Sequence, residues 1–211
     1  MRPERFRPPI RLSGRYVDLL PLERAHAPGL LAALRDPEVQ RYLARPVGTT
    51  LAEVEATVDF LLGHQTAGTD VPFATRLRSS GTIVGMTRYL RLDPENDSVD
   101  IGGTYLDSRY WRTPLNTDAK LTMLRHAFDA GEVHRVSLQT DLRNTRSQAA
   151  IARLGAVREG VLREDRHLPS GYYRSSVLFS ILAAEWPEIR HRLEAKLVQP
   201  WDPDPAGPPT A

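Results

Sequence analysis

The sequence predicts an α+β domain: a mixed, mostly antiparallel central sheet with helices on both faces. Three observations carry this. Strand-like runs follow one another without an intervening helix over residues 71–106, and the apolar period lengthens from two to about 3.6 near residue 115. The order of elements, β α α β β β α β α β β α, is not a run of βαβ repeats, which separates it from doubly wound dinucleotide-binding folds.

The first strand is expected at Tyr16–Leu20, followed by a helix from Glu23 to Leu34. Thr50, three residues before Glu53, matches a capping box, and Leu51, Val54, Val58, Leu61 and Leu62 then form a helical stripe. Runs 71–78, 82–92 and 97–106 read as a meander, with turns at Ser79-Ser80-Gly81 and Asp93-Pro94-Glu95-Asn96. Leu115–Ala130 is helical, with Leu121, Leu124, Ala127 and Phe128 on one side. Arg135–Thr140 alternates as a strand. Asn144–Leu154 is a helix with Asn144 as N-cap and Gly155 as its terminating glycine. Strands at 156–166 and 172–182 flank a Pro169-Ser170-Gly171 turn, and a helix over 183–197 closes the domain.

The chain of 211 residues, 41% hydrophobic and 26% charged, is long enough for one substantial core. Residues 11–198 contain no linker or repeat and read as a single domain. Residues 1–10, basic and proline-rich, are expected as a flexible arm, and 199–211 as a disordered tail. No run approaches the ~20 apolar residues of a membrane span. Cysteine is absent, which excludes disulfides, thiolate metal ligands and a cysteine nucleophile. With no secretory pattern at the N-terminus, this points to the cytoplasm. No His or carboxylate cluster has ligand spacing, so no metal is expected. Twenty-eight Lys+Arg face 26 Asp+Glu with the signs interspersed, a balance that suits a ligand with a few phosphates better than a nucleic acid.

Two segments carry chemistry. Tyr105–Lys120 runs from a strand through a loop into a helix N-terminus, where free N–H groups and the helix dipole can hold a pyrophosphate; an ordinary strand-to-helix connection capped by Asn116 or Thr117 would look the same. In the second segment, 141–160, Ser147 falls on the helix stripe facing the sheet, where it can meet a ligand between strand and helix or only bond a carbonyl one turn earlier.

Together these segments resemble the GNAT superfamily of acyl-CoA N-acyltransferases, most closely the ribosomal-protein N-terminal acetyltransferase branch, over about residues 11–184. The most specific match is R-N-x-R-S-x-x-A-x-x-x-L-G-A-x-x-E-G at 143–160, joined by T-D-A at 117–119. The resemblance implies transfer of an acetyl group from acetyl-CoA to a primary amine, a protein N-terminus or a small molecule, by direct attack in a ternary complex. It implies a cofactor site over Trp111, Arg112, Thr113, Leu115, Asn116 and Thr117 with Asn144, Ser147 as proton donor to the leaving thiolate, and Asp100 as general base. Asp107 and Asp141 stand near the same cleft mouth. Gly102-Gly103 is placed for a bulge that splays two strands around the pantetheine arm. The acceptor is expected between loops 45–49 and 168–173, with Tyr172 or Tyr173 against it; alternatively both tyrosines cover core or a dimer contact.

The sequence departs from the family where Trp111, Pro114 and Asn116 replace the residues of its glycine-containing phosphate loop, and where Ile151 replaces a tyrosine used by some relatives. These departures keep two rivals open: a CoA-binding or interaction module without catalysis, and an acyltransferase with a different acyl-CoA donor. A homodimer also remains open.

Overall fold

A computed structural model describes residues 1–202. The strands are β1 (Leu12–Ser13), β2 (Val17–Pro21), β3 (Asp70–Leu77), β4 (Ile83–Asp93), β5 (Ser98–Leu106), β6 (Arg135–Asp141), β7 (Val157–His167) and β8 (Tyr173–Leu182). The helices are α1 (Ala27–Ala33), α2 (Leu51–Thr66), α3 (Leu115–Arg125), α4 (Thr145–Leu154) and α5 (Trp186–Leu197). One eight-stranded sheet runs β1-β2-β3-β4-β5-β6-β8-β7. Every neighbouring pair is antiparallel except β5 and β6, which are parallel. The mixed sheet expected from the sequence is therefore present.

Alternation along the strands feeds two cores. One takes Val17, Leu19, Phe73, Tyr89, Val99, Ile101, Val136 and Leu138 from the sheet and packs them with α3, α4 and α5. The other joins α1 and α2 to Ala74, Met86 and Tyr105. Thr50 and Glu53 form the reciprocal capping box that starts α2. The helix expected over 23–34 is divided: 24–26 is a 3-10 turn, and α1 follows with Pro28 in its first turn, where a missing N–H costs nothing. α3 continues into a π turn over His126–Ala130.

Residues 1–10 are not the flexible arm their composition implies. Phe6 is 2% exposed, its ring set edge-on to Tyr89 and His126 at 5.1 and 5.2 Å, and the Arg2 N–H donates to the Gly131 carbonyl. A single aromatic side chain buries enough area to dock an otherwise polar segment. At the other end Trp201 packs edge-on to Tyr16, whose hydroxyl donates to the Gln199 carbonyl. The rest of the expected tail, 203–211, lies outside the described residues.

The first edge of the sheet is tied to α3 by a buried carboxylate. Asp118 accepts the N–H groups of Arg15, Tyr16 and Val17 at 2.9, 2.7 and 3.0 Å. A Cβ at Gly14 would sit 2.4 Å from Asp118 Oδ2, so only glycine fits there. Asp118→Ala removes the acceptor from all three donors. It is expected to cost roughly 3 kcal/mol or more, read as a lower urea midpoint with an unchanged m value.

Candidate functional site

β5 and β6 pair from Ser98↔Arg135 to Ile101↔Leu138 and no further, although both strands continue. The split lies beside a bulge in β5. Arg88 opposes Gly102 and Met86 opposes Tyr105, so Gly103 and Thr104 together face Thr87. Gly103 takes φ +56°, and a Cβ there would meet Arg88 Nε at 2.6 Å. Between the diverging strands opens a cleft of about 1600 Å³.

At one end the cleft meets the N-termini of α3 and α4. The loop entering α3 is held by the Asp107 carboxylate, which accepts from Arg109 N–H and its guanidinium. Trp111 Nε1 donates to the Leu106 carbonyl, and the Arg146 guanidinium stacks 3.4 Å above the Trp111 ring. Arg112 occupies the left-handed region at φ +63°, a strained setting for a residue with a side chain. Pro114 stands at the N-cap with no side-chain cap of its own; Leu115 N–H donates to Thr113 Oγ1 at 3.4 Å, and the N–H groups of Asn116 and Thr117 remain for a ligand. Pro114 and Asn116 thus stand where glycine is expected in this loop, with the Trp111–Arg146 stack beside an uncapped helix.

Trp111, Arg112, Thr113, Asn116, Thr117, Asn144, Ser147 and Asp100 all line the cleft. The Leu115 side chain does not: it is wholly buried in the core. Asn144 spends its Oδ1 as the N-cap of α4, accepting Ser147 N–H at 2.9 Å. The Ser147 hydroxyl makes no hydrogen bond among the described residues, so the carbonyl-bonding alternative does not hold and the hydroxyl is available to a ligand. Asp100 is mostly buried and bound by the Arg91 guanidinium, with Arg91 Nε at 2.7 Å; burial pushes its pKa up, against the pull of Arg91.

Neither tyrosine expected at the acceptor lines the cleft. Tyr172 is 41% exposed and lies under the Arg143 guanidinium at 3.8 Å, while Tyr173 is 56% exposed and stacks on His167.

Lys120, not anticipated from the sequence, sits on the floor of the cleft. It is buried, and Nζ donates to Thr87 Oγ1 at 2.8 Å and Thr104 Oγ1 at 2.6 Å, the two residues facing each other at the bulge. The signal was present: Lys120 shares the stripe of Thr117, Met123 and Leu124, an odd place for a charge. Among the described residues no group of His, Cys, Asp or Glu could hold a metal, and no helix is long and apolar enough to cross a membrane.

A sheet split at its parallel pair, with a capless helix beginning at the mouth of the split, is the arrangement that the resemblance to acyl-CoA N-acyltransferases implies. The chain belongs to the GNAT acetyltransferase family: residues 17–157 match the Acetyltransferase (GNAT) domain. It is an N-acetyltransferase of that family. A protein of T. thermophilus assigned as an acetyltransferase is 43% identical, with a TM-score of 0.82 over 90% of this chain and 97% of that one. A GCN5-related N-acetyltransferase from Brucella melitensis is 28% identical, with a TM-score of 0.82 over 90% and 86% of the two chains. YdaF of Bacillus subtilis (strain 168), assigned as a ribosomal N-acetyltransferase, is 27% identical over 106 residues, which span 50% of this chain and 57% of that relative.

Burial lowers the Lys120 ammonium pKa from 10.5 to about 7. The unfolded chain keeps that proton up to the ordinary lysine range, so from about pH 7 to about pH 10 it binds more protons than the folded chain, and stability rises with pH. Below about pH 7 the cost of the buried charge is fully present. Lys120→Met leaves Thr87 and Thr104 bonded to each other at 2.8 Å and removes this titration. The melting temperature of the wild type should therefore rise relative to the variant between about pH 7 and about pH 10; a constant difference would show that Lys120 does not titrate there.

Proposed function

We propose that this enzyme moves the acetyl group of acetyl-CoA onto a primary amine, of a protein N-terminus or a small molecule, by direct attack within a ternary complex. The observation that carries the reading is the stretch where β5 and β6 no longer pair with each other, lying between an uncapped α3 and a Ser147 hydroxyl that has no hydrogen-bond partner among the described residues. The likeness to YdaF and the 143–160 motif support a protein N-terminus as one acceptor.

Acetyl-CoA, when bound, supplies an activated thioester. Its pyrophosphate suits the α3 first-turn N–H groups of Asn116 and Thr117 together with the Arg112 and Arg146 side chains, since guanidinium and helix terminus both favour an anion. The free edge of β5 at Gly102–Thr104 offers backbone groups to amides of the pantetheine arm, in the manner of an added strand.

An amine must lose a proton before it attacks, and a peptide ammonium holds that proton to roughly pH 8. Asp100 takes it in this reading. Burial favours the protonated acid, and Arg91 keeps the carboxylate oriented. Ser147 gives a proton to the departing sulfur and regains one from the acylated nitrogen, which must shed its extra proton to become an amide: the N–C bond forms, the C–S bond breaks, and CoA leaves as the thiol.

Thiol release from acetyl-CoA with a panel of peptides and small amines tests the reading directly. Ser147→Ala is expected to lower kcat roughly 100-fold while calorimetry gives an acetyl-CoA Kd within about twofold of the wild type. Arg112→Glu should instead raise the acetyl-CoA Kd about tenfold. A fully active alanine variant leaves Ser147 a structural role only, and an unchanged Kd removes Arg112 from the anion site.

A further inference from the structure

On the cleft wall away from α3, two arginines stand where packing alone gives no reason for them. Arg166 on β7 and Arg174 on β8 are direct cross-strand partners, an arrangement in which like charges repel. Arg174 is 5% exposed and lines the cleft, and its side chain makes no hydrogen bond among the described residues; its Nε is buried without a partner. Its one ion-pair neighbour, Asp141 at 3.9 Å, is already engaged by Arg143 at 2.7 Å. A buried guanidinium without hydrogen bonds is expensive, and glutamine or leucine would serve the fold better.

The surrounding charges show what is missing. Arg88 is matched by Asp70, Arg91 by Asp100 and Arg143 by Asp141. That leaves Arg166 and Arg174 with Asp165 alone, 3.7 Å from Arg166, a surplus of one positive charge. Burial and the charge of Arg166 together lower the pKa of the Arg174 guanidinium, and Arg166 acts in the same direction on Arg88. All three side chains line the same cleft. Arg166 also donates to Gln139 Oε1, which accepts from the Arg91 that holds Asp100, so the surplus charge lies next to the proposed base.

We infer that the acceptor amine carries a carboxylate, and that Arg166 and Arg174 bind it so as to present the amine to Asp100. This rests on the amine-acetylation reading and narrows it. One surplus charge matches a carboxylate rather than a phosphate dianion, and the guanidinium fork matches its two oxygens. The carboxylate can belong to an acidic side chain near a peptide N-terminus or to a small amino acid, and the same chemistry serves both.

Two matched pairs separate these sources: a peptide beginning Ser-Glu against one beginning Ser-Gln, and β-alanine against β-alaninamide. For each member, kcat/KM is measured by thiol release, and Kd by calorimetry with CoA present. At least one pair should favour the carboxylate by roughly 10- to 100-fold in the wild type. Arg174→Gln should bring that ratio near one by weakening the carboxylate member far more than the neutral member, with the acetyl-CoA Kd unmoved. Arg166, 38% exposed at its side chain, provides Arg166→Gln with the same expected loss should the Arg174 variant not fold. A wild-type ratio near one in both pairs, or variants that weaken both members equally, overturns the inference while leaving acetylation itself intact. If no amine releases thiol, the acetylation reading fails, and the Kd ratios with CoA present still decide whether the arginines select a carboxylate.

Discussion

Pairing between β5 and β6 stops at Ile101 and Leu138, and the rest of the site depends on that early stop. Two parallel strands held in register would leave no room between them and no free backbone edge. The bulge at Gly103–Thr104 turns β5 toward β4, where its pairing resumes at Tyr105. β6 meanwhile stays with β8 through Asp141. The cleft is thus a consequence of each strand keeping its outer neighbour after losing its inner one. Gly103 eases it, since its left-handed φ of +56° strains any residue with a side chain and a Cβ there would press on the Arg88 side chain.

The bulge also changes which residues face which layer. Val99 and Ile101 point into the core beneath α3, and a regular strand would send Gly103 the same way. The extra residue sends Thr104 there instead, where with Thr87 it receives Lys120. Tyr105 then enters the opposite core with α1 and α2. One inserted residue therefore sets the polar floor of the cleft and the packing on both faces of the sheet. α3, whose first turn is the proposed cofactor contact, is fixed at the same time by Asp118 bound to the β1–β2 turn. A helix that must present N–H groups to a ligand cannot spend them on its own cap, so its anchorage comes from a carboxylate one turn in.

Stability and function pull against each other along the cleft. A buried lysine, a buried arginine whose side chain has no hydrogen bond among the described residues, and an arginine in the left-handed region are each unfavourable. All three line the same cleft. Large cores on both faces of the sheet offset these costs, which is why a fold of this size can hold them.

Local features were legible in the sequence: the capping box at Thr50, the Asn144 cap and Gly155 termination of α4, the alternation of the strands, and the glycine pair at the bulge. Each depends on residues a few positions apart. The 143–160 motif placed Ser147 on the cleft for the same reason, because a helix stripe fixes direction once its neighbours are known. What only the tertiary structure decided depends on register between distant segments. Arg166 faces Arg174 because the β7–β8 pairing shifts between Leu162 and Arg166, and no periodicity encodes that shift. Phe6 docks on Tyr89, 83 positions along the chain, and Asp118 meets residues more than 100 positions before it. Tyr172 and Tyr173 stay off the cleft because they meet Arg143 and His167 instead, contacts set by the β7–β8 pairing and the nearby start of α4. Sequence reports the short-range preferences of the backbone; which charges meet, and which are left without a partner, is settled only when the sheet closes its long-range pairs.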